Sequence, residues 1–182
     1  MIGAPLISEG KVLVYDGVGV LLRGDTVLVV YQKAARLART RWLFDVVEMI
    51  VVEREDDILA FMIVLPNADP PDGPTREENR RRMQKIDHRV RRLVTTPIGN
   101  AFKINLVRAV MRGLNVMLGH SGTHFVADTV DEGLSRLLEA SSDKTPSAEQ
   151  ILGDIGIIYR ALGEPEPRFP IAPPGSIPPK RD

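Results

Sequence analysis

The string His120-Ser121-Gly122-Thr123-His124 is the most chemically suggestive in the chain. Two imidazoles flanking a hydroxyl could hold a metal, or pair a nucleophile with a base. A zinc site needs three or four ligands in tetrahedral array, and no nearby acidic motif supplies a third. Spacing of four residues brings side chains together on a helix, whereas Gly119 and Gly122 point to a turn. These histidines are therefore expected to be ordinary loop and strand residues, and a His-based hydrolase or metal enzyme is the weakest functional reading.

Other catalytic signatures are missing. No phosphate-binding loop and no Gly-x-Ser-x-Gly elbow occurs. Gly17-Val18-Gly19 has Leu22 where a dinucleotide fingerprint requires glycine. Cysteine is absent, which excludes disulfides, thiolate catalysis and cysteine-based zinc sites. The expectation is a protein that is not an enzyme, with no catalytic, cofactor or metal residues and no cofactor.

Two features could carry binding. Residues 76–92 hold eight basic residues against three acidic ones. Arg80, Arg81, Arg82 and Lys85 are the candidate anion contacts there. No aromatic lies among them, so base stacking and nucleic acid are disfavoured, and a solvated face with local salt bridges is the plainer account. The second feature is a helix expected over residues 101–118, capped by Asn100. Asn105, Arg108, Arg112 and Asn115 share a narrow polar arc, and apolar residues cover the rest. One side suffices for packing on a sheet. The other, marked by Ile104, Val107, Met111, Leu114 and Leu118, is a candidate protein-interaction surface, or the seat of another helix of the chain.

The elements that must position these features are legible from periodicity. Asp16-Gly17 between two apolar runs predicts a hairpin of residues 11–15 and 18–22. Arg23-Gly24-Asp25, also a cell-adhesion tripeptide, reads as a second turn before the strand Thr26–Tyr31. Residues 36–54 show helical spacing. Ile58–Leu65 is apolar on both faces, as in a central strand covered on both sides. The proline-rich loop 66–74 comes next, without a ligand signature, and is expected to be a solvated connector. Thr75 and Glu78 read as a capping box for a helix to about Asp87. A strand at 90–96, another at 123–127, and capped helices at 129–139 and 147–162 complete the order.

Over residues 11–140 this order resembles that of the STAS / SpoIIAA-like (anti-sigma-factor antagonist-like) domains. The resemblance implies an α/β fold: a single domain with a mixed β-sheet, an N-terminal hairpin and helices packed against it. It also implies a regulatory or scaffolding protein–protein interaction module. In that family a serine or threonine between strand and helix is the phosphorylated switch. The junction here, Thr95-Thr96-Pro97-Ile98-Gly99-Asn100, lacks the family's Asp-Ser-Ser-Gly motif, so no phosphosite is carried over. Some folds of this kind also resemble lipid-transfer domains, and the alternative function is a carrier or sensor of a small apolar ligand.

Residues 1–10 are expected as a flexible lead-in, 11–140 as the STAS-like domain, 141–162 as linker and C-terminal helix, and 163–182 as a disordered tail. That tail holds seven of the 14 prolines. Lys plus Arg balances Asp plus Glu at 24 each, so no global field favours an anionic partner. No signal peptide or membrane-length apolar run is evident. The expected setting is cytoplasmic, with a protein partner of unknown identity, a homodimer as one form of it, and no membrane association.

Overall fold

The computed structural model describes residues 8–99, 104–109, 113, 123–165 and 167. Residues 1–7 of the expected lead-in, most of the tail, the Asn100 cap, His120 and the candidate contacts Met111, Leu114 and Leu118 lie outside these residues.

A three-stranded antiparallel meander opens the sheet: β1 (Val12–Tyr15), β2 (Val18–Arg23) and β3 (Thr26–Tyr31). Asp16 and Gly17 take φ values of 43° and 83°, the two left-handed residues that a type I′ hairpin requires. Gly24 turns the next hairpin at φ 54°. It also lies against the loop before the last helix, since a Cβ there would sit 2.0 Å from the Lys144 carbonyl oxygen. Arg23-Gly24-Asp25 is thus a turn closed over by the chain.

From β3 onward every added strand is parallel. Helix α1 (Leu37–Glu53) leads to β4 (Ile58–Val64). Helix α2 (Gly73–Ile86) and a short 3-10 turn lead to β5 (Val90–Pro97), and helical residues 104–109 precede β6 (His124–Val126). Helices α3 (Val130–Leu138) and α4 (Ala148–Ala161) complete the chain's regular elements among the described residues. Strand order is β1-β2-β3-β4-β5-β6, so each crossover advances the sheet in the same direction. Right-handed crossovers then place their helices on one face. Helices α1 and α2 pack together there, while α3 and α4 cover the opposite face.

The capping of α2 differs from the expectation. Asp72, not Thr75, is the cap: its carboxylate accepts the Thr75 backbone N–H at 3.0 Å. Pro74 has no N–H to satisfy and its φ suits a first turn, so the helix starts earlier and Thr75 is buried inside it. Helix α4 does begin with a capping box, Ser147 with Gln150.

The strands alternate between two apolar layers. Val27, Val29 and Tyr31 of β3 face α1 and α2, and Leu28 and Val30 face α3 and α4. Strand β4 does the same, with Leu59, Phe61 and Ile63 fully buried under α3 and α4. Charged contacts anchor the α4 side. Arg23 on β2 forks onto the buried Asp154 of α4 at 2.8 and 2.6 Å. Burial pushes the pKa of Asp25 up, but the Ser142 and Thr145 hydroxyls and the Arg91 guanidinium outweigh this and hold it below the usual carboxylate value.

Close approach of helix and sheet is set by glycine. A Cβ on Gly133 of α3 would meet Thr96 Oγ1 at 2.6 Å and the Phe61 ring at 2.7 Å. In an open helix Gly→Ala gains about 1 kcal/mol, whereas overpacking a core costs about 1–3 kcal/mol. The clash should win here: Gly133→Ala is expected to lower unfolding free energy by about 1 kcal/mol in urea titration, and a gain in stability would contradict this packing.

Candidate functional site

The two faces of the sheet are not filled alike. On the α3/α4 face the side chains of β4 are fully buried. On the α1/α2 face Ala60, Met62 and Val64 are only half-buried, because the helices there leave a gap. The gap is a cleft of about 130 Å³ near the carboxyl ends of the parallel strands. Ligand sites in α/β sheets favour this end, where loops diverge beyond the strands.

The walls are mostly apolar. Leu43 and Phe44 come from α1, Met83 from α2, Met62 and Val64 from β4, and Leu93 from β5. Val107, on the helical residues 104–109, contributes another wall. The loop after β4 takes part as well. Ala68 is 3% exposed, and Ala68, Asp69, Pro70 and Pro71 all line the cleft. That loop is largely exposed, as a solvated connector would be, and at these residues it also borders the cleft. Its prolines hold an extended path with little conformational entropy to lose.

A few polar groups converge on this apolar space. Tyr31 ends β3 and is 6% exposed. Burial pushes its phenol well above the ordinary value, against the opposing effects of Thr40 and Arg39, so it is neutral at physiological pH and able to donate. Thr95 of β5 is 1% exposed and lines the cleft. His124, at the start of β6, also lines it, with Nε2 2.9 Å from Asp87 Oδ1. Both side chains are almost wholly buried. Asp87 belongs to the 3-10 turn before β5, far from His124 in sequence, so only the fold joins them.

His124 thus has a buried carboxylate neighbour that no local motif announced. Among the described residues no group of three or more potential ligands is placed to hold a metal ion. No described helix is long and apolar enough to cross a membrane.

Of the candidate interaction residues, the two described ones line different spaces. Val107 lines the cleft. Ile104 lines a separate, open groove of about 600 Å³, with Pro66, Pro97, Ile98, Val130 and Tyr159. Both are half-buried. The candidate anion contacts are largely committed to carboxylates. Arg80 bonds Glu77 at 3.0 Å, and Arg81 forks onto Glu78 at 3.1 and 2.8 Å. Arg82 bridges α2 to α1, reaching Asp45 at 2.8 Å, Glu48 at 2.9 Å and Glu78 at 3.2 Å. Lys85 is exposed in the last turn of α2. The same holds further along: Arg89 pairs with Asp57, Arg91 with Asp25 and Arg92 with Glu139. A stretch that is strongly basic in sequence is close to neutral in space.

This network ties together the two helices that wall the cleft, and it sets a pH dependence. Glu78 is held at about 2, first by its bond to Arg81, with Arg82 and Arg41 assisting against burial. Its unfolded reference is 4.5, so the unfolded chain binds the extra proton between those values. The stabilisation is complete above about pH 4.5 and is lost as pH falls toward 2. Unfolding measured from pH 6 downward should show this acid-side decline, and Glu78→Gln should flatten it. An unchanged slope in the variant would show that Glu78 is not ion-paired.

Comparison with protein-family models, with curated proteins and with solved structures gave no match.

Proposed function

We propose that this chain is a non-catalytic binding module that takes a small apolar ligand into the cleft between β3–β5 and helices α1 and α2, as a carrier or sensor. The observation that carries the reading is the pre-formed apolar space itself, walled by Leu43, Phe44, Met62, Val64 and Met83, with few polar groups among them. Small-molecule sites have this character: concave, mainly apolar, with a few placed hydrogen-bonding groups. The similarity in element order to STAS / SpoIIAA-like domains also favours a binding or regulatory role over an enzymatic one. The volume is modest, near that of a cavity that accepts one benzene ring, so the enclosed part of the ligand is about ring-sized.

Two measurements test this. Native mass spectrometry of protein purified from its source should reveal a co-purifying small molecule. Titration with toluene should show saturable binding that Ala35→Phe, which fills the cleft from its half-buried rim, abolishes. Absence of saturable binding to the wild type would sink the reading.

A protein-interaction module is the second reading. It is favoured by the open groove around Ile104, whose lining of Pro66, Pro97, Ile98, Val130 and Tyr159 offers a second apolar surface. In its homodimer form, Ile104→Glu should give a folded monomer in light scattering. A wild-type protein that is monomeric at high concentration would remove the dimer.

A further inference from the structure

The Thr95 hydroxyl is buried, lines the cleft, and has no hydrogen-bond partner among the described residues. A buried polar group left unpaired destabilises the fold, and native structures rarely keep one without a reason. Valine has the same shape and suits a strand equally well, so strand formation alone does not call for threonine here. Thr40, Thr75, Thr96 and Thr123 also carry unpartnered buried hydroxyls, but none of them lines the cleft. Thr96 faces the opposite layer, against Gly133. Thr95 is the one whose hydroxyl borders space that a ligand could enter.

We propose that the occupant of the cleft is a small neutral amphiphile, a ring-sized apolar body bearing a single hydroxyl or carbonyl head, and that the Thr95 hydroxyl is the group that bonds this head. The proposal rests on the apolar-ligand reading above and deepens it. The neutrality of the head comes from the lining. No Lys or Arg occurs among the described residues of the cleft, and Asp69 and Asp87 bring carboxylates to its rim and to His124. An ionised carboxylate or phosphate head would be desolvated beside acidic groups with no described Lys or Arg to receive it. A hydroxyl or carbonyl needs only the bond that Thr95 lacks.

Phenol and toluene form the test pair, since they differ by a hydroxyl in place of a methyl. Calorimetric titration of each into wild type, Thr95→Val and Thr96→Val gives the selectivity ratio. Thr95→Val is expected to shift that ratio toward toluene by about threefold to tenfold, the range of one buried hydrogen bond. Thr96→Val should leave it unchanged. Without ligand, Thr95→Val should raise the melting temperature by about 2–4 °C, because the orphan hydroxyl is gone. An unchanged ratio, or a melting temperature that falls in Thr95→Val, overturns the inference while leaving the apolar cleft intact. Failure of both probes to bind wild type removes the cleft reading, and this inference with it.

Discussion

Strand β4 lies between two apolar layers, and neither layer closes without it. Phe61 and Ile63 project toward α3 and α4, and Met62 and Val64 project toward α1 and α2. Its neighbours β3 and β5 are both parallel to it, so a covering helix is needed at each step. Because the strands are added in one direction, those crossover helices fall on a single face. The other face must be covered by the chain beyond β6, and α3 and α4 do so. The two coverings are achieved differently. Gly133 lets α3 sit directly on Phe61 and Thr96, and Gly19 of β2 does the same for Ile158 of α4. The crossover side has α2, a highly charged helix held to α1 by ion pairs, and less apolar bulk to fill the space.

That imbalance is the physical origin of the cleft. Helix α2 buries only Thr75, Glu78 and Ile86, with Met83 half-buried, so it cannot seal the sheet beneath it. The loop 66–72 and Val107 complete the walls without filling the floor. Arg82 and Glu78 keep α2 beside α1. An ion-pair network of this kind contributes little per exposed pair, but it fixes relative position. A space maintained by charge at its back and by prolines at its rim is pre-formed, and the ligand reading proposed above would gain from the lower ordering cost of a pre-formed space.

Most of the fold was legible from local signals. Asp16-Gly17 marked the hairpin because few residues accept positive φ, and the apolar run from Ile58 marked a strand buried on both faces. The cap of α2 was misplaced by three residues because Asp72 and Thr75 compete and the position of Pro74 decides between them. The site was far less legible. Thr95 read as a strand former, and Asp87 as the end of a helix. The loop 66–74 read as a connector because its composition carries no ligand motif. The arginines read as a solvated face with local salt bridges, as Arg80–Glu77 and Arg81–Glu78 are, but the partners on other elements, Asp45, Glu48, Asp25 and Glu139, were not legible because they are distant in the chain.

Pattern alone therefore determined the element types, their order, the alternation of faces, and the exclusion of cysteine chemistry and of common nucleotide motifs. Those properties depend on neighbours within a few residues, where backbone sterics and periodicity act. The tertiary structure decided which charges cancel, which histidine meets a carboxylate, and where the two layers fail to close. Such outcomes depend on contacts between segments tens of residues apart and on the balance of side-chain volume across the sheet. Neither is encoded in any single stretch, and the cleft with its unpartnered Thr95 hydroxyl exists only once β3, β4, β5 and the helices over them are assembled.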